Sequence, residues 1–311
     1  MEYVMVIGGL IILIAGGELL VRGASAVALK FNISPFIVGM TVVAFGTSAP
    51  ELLVSLSSAL DNHPDIAIGN VIGSNISNIA LVLGATALVF PVAIQRNIIR
   101  QDWPLLLLAT LLFWYFGSDN KLVFWEGVGL FAILLFFILK TILSTKKGQQ
   151  EISDDVDLEA VNEPIWRTAA MLLLGFPALV YGSNWLIDGA VKIAQNFGVS
   201  EMIISLTIVA IGTSLPELVT SIMAARKKET DIAIGNIMGS NIFNILCILG
   251  ITSMVTDVPV SQEVLDRDIY WLLGITVLLL PMMVLRKNVN RVEGLILLTV
   301  YASFLFFLIP K

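Results

Sequence analysis

Two carboxylates in this chain stand in apolar surroundings with no basic residue recurring beside either of them. Glu51 and Glu217 each close a Gly-Thr-Ser-x-Pro-Glu run, Gly46-Thr47-Ser48-x-Pro50-Glu51 and Gly212-Thr213-Ser214-x-Pro216-Glu217. A charge at the centre of a bilayer costs about 2.5–3.5 kcal/mol on insertion scales, so an intramembrane Glu points to function by default. Leaving such a charge buried and unpaired is expensive. Both runs lead into Asp-Ile-Ala-Ile-Gly-Asn-x-x-Gly-Ser-Asn-Ile-x-Asn, at 65–78 and 231–244. On a helix Ser74 and Asn78 share a face, as do Ser240 and Asn244, and they can bring neutral oxygens to the same centre. Pro50 and Pro216 each remove a backbone donor and disturb the helix one turn back. Carbonyls such as those of Ala44, Phe45 and Thr47, or Ala210, Ile211 and Thr213, can then leave helical pairing. At membrane depth a freed carbonyl must be buried in protein or face water or an ion. Carboxylate, hydroxyl and carbonyl oxygens together suit hard cations such as sodium and calcium, and suit soft metals poorly. Gly69 and Gly73, with Gly235 and Gly239, offer small faces for close helix approach.

Charge counting narrows the chemistry. Two carboxylates are neutralised by one calcium, two sodium ions or two protons, and loads that neutralise the same pair compete for it. Such competition is the physical basis of exchange rather than cotransport. A third sodium on the Ser and Asn oxygens would make the cycle electrogenic, at about 2.3 kcal/mol per charge per 100 mV.

The elements that must position these groups are long and apolar. Of 311 residues 57% are hydrophobic and 14% charged, with a mean hydropathy of +0.90, against about 25% charged in soluble domains. Runs near the ~20 residues needed to span a bilayer recur from end to end. They predict ten helices, at roughly 3–22, 37–60, 65–90, 103–117, 123–143, 165–186, 203–225, 231–255, 269–285 and 293–309. Residues 41–84 recur as 207–250 without a gap, identical at 25 of 44 positions. That offset of 166 residues spans five predicted helices, and an odd number brings the second copy in from the opposite side. The expected fold is an all-α integral membrane protein of ten transmembrane helices in two inverted five-helix repeats, a common transporter construction. The repeats are 1–143 and 164–311. Between them lies a polar linker, 144–163, whose Asp154, Asp155, Asp157 and Glu159 lack the central Gly and terminal Glu of a helix–loop–helix calcium site.

With both termini outside, 14 of the 18 Lys and Arg fall on the inner side, which the positive-inside rule favours. The linker is then cytoplasmic and the protein multi-pass in the cell's inner (plasma) membrane. The opening segment has no basic start, and Glu18 and Arg22 follow directly on its apolar stretch, so it reads as a helix rather than a cleaved signal. That Glu–Arg pair reads as a local ion pair or as snorkelling side chains. The single Cys, Cys247, reads as a small buried hydrophobe, and His63 is alone, so a His-rich zinc site is not expected.

The paired Gly-Thr-Ser-x-Pro-Glu and Gly-Ser-Asn-Ile-x-Asn motifs strongly resemble those of the calcium/cation antiporter superfamily, specifically prokaryotic sodium/calcium exchangers, along essentially the whole chain. The resemblance implies eight core helices and two long, loosely packed gating helices, the first and sixth here. It implies that Glu51 and Glu217 ligate calcium, with Thr47 and Thr213 contributing chiefly backbone oxygens. It implies that Ser48, Ser74, Ser214 and Ser240 line flanking sodium sites, completed by Asn78 and Asn244, with Ala44 and Ala210 counted among the sodium ligands. Proton/calcium exchangers of the superfamily carry Gly-Asn-x-x-Glu at the first motif, which this chain lacks. Several relatives, notably potassium-dependent exchangers, carry Asp at the position of Asn244, which makes the present centre more symmetrical and one formal charge poorer.

The expected activity is therefore secondary antiport of sodium against calcium, with no cofactor and no enzymatic step. Its partners are calcium, sodium and the lipid bilayer, with no nucleic acid and no obligatory protein partner. The rivals are a proton- or potassium-coupled divalent-cation antiporter, a passive channel, and an intramembrane hydrolase using the two Glu residues as acid and base. The twofold equivalence of the motifs, with no nucleophile or His in either, favours binding over chemistry.

Overall fold

Long runs of Leu, Ile, Val, Ala and Phe, interrupted by Gly and Pro, fold almost wholly as helix; helices make up 87% of the described residues. The computed structural model describes residues 1–61, 63–145, 163–199, 204, 208 and 210–308. The linker expected at 144–163 falls almost entirely outside the described residues.

Helix α1 spans Glu2–Phe31 and ends at Asn32 in the left-handed region (φ 53°), a conformation Asn tolerates at a helix end. Next come α2, Pro35–Thr47, and α3, Ala49–Leu60, bent by 43° at Ser48. The single helix expected over 37–60 is thus two, because Pro50 cannot donate to the turn before it. Helix α4 begins as Pro64–Ser77, widens into a π-turn at Asn78–Val82 and resumes over Leu83–Val89. Strand β1 (Val92–Ala93), α5 (Trp103–Phe116), β2 (Lys121–Leu122) and α6 (Phe124–Thr145) follow. Beyond the linker are α7, Ile165–Asn196, a short Ala210–Gly212 turn and α8, Leu215–Arg226. The chain closes with α9 (Thr230–Val255), β3 (Val258–Pro259), α10 (Ile269–Arg286), β4 (Asn288–Val289) and α11 (Arg291–Leu308). Among the described residues seven helices are long and apolar enough to cross a membrane, and the bent α2–α3 pair makes up to eight.

The first and sixth predicted helices emerge as α1 and α7, both longer than the expected 3–22 and 165–186. Charges at Glu18 and Arg22 suggested an end to the first. Instead they pair with each other one turn apart at 2.7 Å, which supports a helix rather than ending it. These two helices lie against each other along their length, at glycines spaced seven apart. A Cβ on Gly9 would come within 2.6 Å of the Leu186 amide, and one on Gly182 within 2.6 Å of the Leu13 amide. Only glycine allows backbones so close. The pair itself is therefore tightly packed.

Beneath it, α4 and α9 are the most buried helices. Their apolar faces carry the main core, with Ile72, Ile76, Ile79, Ile237, Ile245 and Leu249 among side chains fully or almost fully out of solvent. Two small antiparallel sheets tie the halves together: Val92 pairs with Val289, and Leu122 with Val258. They sit at opposite ends of α5, and each joins one strand from before the linker to one from after it.

Candidate cation-binding site

The site is built where the two bent segments meet α4 and α9. Pro50 and Pro216 occupy the first turn of α3 and α8, where a missing N–H does no harm. Ser48 and Ser214 precede these helices with almost the same backbone, φ −90° with ψ 3° and φ −90° with ψ 6°. Glu51 and Glu217 therefore sit in equivalent first turns, at the positive end of each helix dipole. Their exposures are 1% and 0%. Neither forms an ion pair among the described residues.

Hydrogen bonds cross between the two copies. Ser48 Oγ donates to Glu217 Oε1 at 2.9 Å, and Thr47 Oγ1 to Asn236 Oδ1 at 3.1 Å. What is left unbonded is more telling. Both oxygens of Glu51, Oε2 of Glu217, the hydroxyls of Ser74, Ser214 and Ser240, and both amide ends of Asn78 and Asn244 are buried without a hydrogen-bond partner. Natural proteins satisfy nearly all buried polar atoms, so a cluster of this kind calls for an explanation. Most of these atoms are oxygens, as hard cations require. The expected ligands Glu51, Glu217, Ser48, Ser214, Ser74, Ser240, Asn78, Asn244 and Thr47 are thus all buried. Asn78 and Asn244 each open a π-turn, at Asn78–Val82 and Asn244–Leu249, a local widening frequent at functional sites. Thr213 lies beside Ser214 in the second bend, and Ala210 opens the short turn before it.

One expectation needs correction in detail. The carbonyl of Ala44 is not released: it accepts the Ser48 N–H at 2.9 Å and the Thr47 hydroxyl at 3.3 Å. A proline leaves unpaired the carbonyl four residues back, which here is that of Gly46 or Gly212. Ala44 can reach a cation only through a carbonyl already in use. Of the two expected small faces, the described residues show close approach at one. A Cβ on Gly235 or Gly239 would come within 2.4 Å of the Phe36 or Met40 carbonyl on α2, whereas no described atom lies within 4 Å of one on Gly69 or Gly73. The segment equivalent to α2, around 200–209, lies mostly outside the described residues.

Sequence reasoning passed over Asn70 and Asn236. Asn70 Nδ2 donates to the Glu51 carbonyl (3.2 Å) and to Ser55 Oγ (3.0 Å); Asn236 Nδ2 donates to Ser221 Oγ at 3.1 Å. These pairs tie α4 to α3 and α9 to α8, the helices that carry the two Glu residues. The signal was available, since Ser55 and Asn70 recur as Ser221 and Asn236 at the common offset. At the rim, Glu18 accepts from Lys227 as well as Arg22, each at 2.7 Å, so it is an ion-paired residue rather than a ligand.

The comparisons agree with this geometry. Residues 1–143 and 167–309 match the family model described as sodium/calcium exchanger protein. The chain is 34% identical to inner membrane protein YrbG of Escherichia coli, covering 98% of this chain and 97% of that protein. It is 30% identical to sodium/calcium exchanger MaX1 of Methanosarcina acetivorans, over 98% and 97% respectively. Its fold superposes on a solved structure of the sodium-calcium exchanger NCX_Mj with a TM-score of 0.84 and 30% identity, covering 99% of each chain. A multi-pass helical membrane protein with two buried carboxylates in equivalent first turns, the chain belongs to the sodium/calcium exchanger family.

Proposed function

We propose that the protein is a secondary antiporter that exchanges sodium for calcium by alternating access at a single centre, with Glu51 and Glu217 as the shared charged ligands. One observation carries this reading: three of the four carboxylate oxygens of Glu51 and Glu217 are buried without a hydrogen-bond partner, the fourth accepts the Ser48 hydroxyl, and neither residue forms a salt bridge among the described residues. A divalent ion between the carboxylates removes the charge; two sodium ions do the same and so compete. In this reading Thr47 and Thr213 join the calcium ligands, and Ser48, Ser74, Ser214, Ser240, Asn78 and Asn244 hold sodium, with the carbonyls of Ala44 and Ala210. Asn244 adds no charge, so potassium is not required.

The proposal includes ten membrane crossings arranged as two inverted repeats, 1–143 and 164–311, joined by a cytoplasmic linker, with both termini outside. The sheets support the inversion. Residues 92–93 and 258–259 are equivalent by the repeat, yet they lie in different sheets at opposite ends of α5. The orientation is supported by the distribution of Lys and Arg. With Cys247 replaced by Ser, an impermeant thiol reagent on intact cells should label Asn120→Cys and miss Gln149→Cys; the reverse pattern would overturn the orientation.

The function is tested by calcium uptake into proteoliposomes with sodium, potassium or proton gradients imposed one at a time. Outward sodium alone should drive uptake, and potassium should be dispensable. Uptake driven by a proton gradient and indifferent to sodium would instead favour the proton-coupled rival.

A further inference from the structure

Pro216 has no amide hydrogen, so the Gly212 carbonyl loses the partner that an unbroken helix would supply. That carbonyl instead accepts from the hydroxyl of Ser183 on α7, 2.9 Å away. Ser183 is buried, and one turn further along α7, Ile187 rests against Gly212. Helix α7 also reaches the first bend, where the Phe176 ring covers Gly46. A single helix thus covers both hinges but, among the described residues, makes a hydrogen bond to only one of them. The residue equivalent to Ser183 is Gly17 on α1, which has no side-chain donor and faces Val219 and Thr220 of α8.

We propose that Ser183 is a positioning residue that sets the balance between the two access states. The inference rests on the alternating-access reading above. If the two halves are inverted repeats, the opposite state exchanges their surroundings. Helix α1 would then meet the first hinge, presenting Gly17 to the carbonyl that Pro50 releases from Gly46. The Ser183–Gly212 bond therefore exists in one state and has no counterpart in the other. A buried carbonyl that loses its donor is destabilised, so removing the hydroxyl disfavours the state in which α7 bonds the second hinge. Because the two states open to different sides, this changes the apparent affinities at the two faces in opposite directions, which a general loss of packing would not do.

The test compares apparent calcium affinity at each face, using right-side-out and inverted vesicles that contain wild type, Ser183→Ala, Ser183→Cys or Ser183→Thr. Alanine and cysteine remove the strong donor at different volumes, and threonine keeps it. The ratio of the two affinities should shift about three- to tenfold in the Ala and Cys variants, the range expected for one buried hydrogen bond in a membrane protein. Ser183→Thr should restore the wild-type ratio. An unchanged ratio, or an equal fall at both faces, would overturn the inference while leaving the exchange reading intact. Absence of sodium-driven calcium flux in the wild type would overturn the exchange reading, and this inference with it.

Discussion

The two copies of the Gly-Thr-Ser-x-Pro-Glu run are the same in sequence and almost the same in backbone, yet they hold their carboxylates differently. Glu217 takes the Ser48 hydroxyl from the other copy, whereas both oxygens of Glu51 are unbonded, as is the hydroxyl of Ser214, the equivalent of Ser48. The serines at the bends match, with ψ of 3° and 6°, although the Ser48 N–H bonds four residues back to Ala44 and the Ser214 N–H three back to Ile211. The placement of each copy against its neighbours differs more. Helix α7 bonds the second hinge through Ser183 and only covers the first through Phe176. A repeated sequence dictates two equal bends, and the way the halves pack decides which of them is engaged.

That comparison predicts unequal consequences for equivalent substitutions in some positions and equal ones in others. The largest effect should be the same for both copies. Glu51→Gln and Glu217→Gln should each lower calcium transport by at least about a hundredfold with the protein still folded. Each removes one of two charges facing a divalent ion, and losing one partner of a buried charged set costs about 3–5 kcal/mol. Calcium flux within a few-fold of wild type in either variant would remove the carboxylate from the site. A smaller and unequal effect is expected at the serines. In sodium- and calcium-free buffer, Ser48→Ala should lower the melting temperature by about 2–4 °C for each kcal/mol lost, because it breaks a bond to a buried carboxyl. Ser214→Ala breaks no hydrogen bond made here and should leave the melting temperature nearly unchanged. Equal shifts would mean that the asymmetry is not a property of the resting protein.

Much of this was legible in the residues. Glu51 and Glu217 stood out through charge in apolar sequence, and Ser74, Asn78, Ser240 and Asn244 through helical spacing, and each of them is buried. Hydropathy located the helices well where apolar residues alone define them, as for α5, α6 and α9. It ended α1 too early, because charge was read as a boundary where Glu18 and Arg22 satisfy each other within the helix. The proline argument named the carbonyls of Ala44, Phe45 and Thr47 and passed over that of Gly46, four residues before Pro50. Ser183 could not be found from the repeat at all. Its equivalent is Gly17, and its role depends on a contact between helices far apart in the chain.

The central claim is that sodium and calcium contend for one pair of carboxylates. It is tested most directly by equilibrium calcium binding to the purified protein, titrated with sodium at constant ionic strength. Sodium should weaken the apparent calcium affinity progressively without lowering the number of sites, steeply enough to need more than one sodium ion per calcium displaced. Calcium binding that is indifferent to sodium, or that loses sites while keeping its affinity, would contradict a shared centre at Glu51 and Glu217.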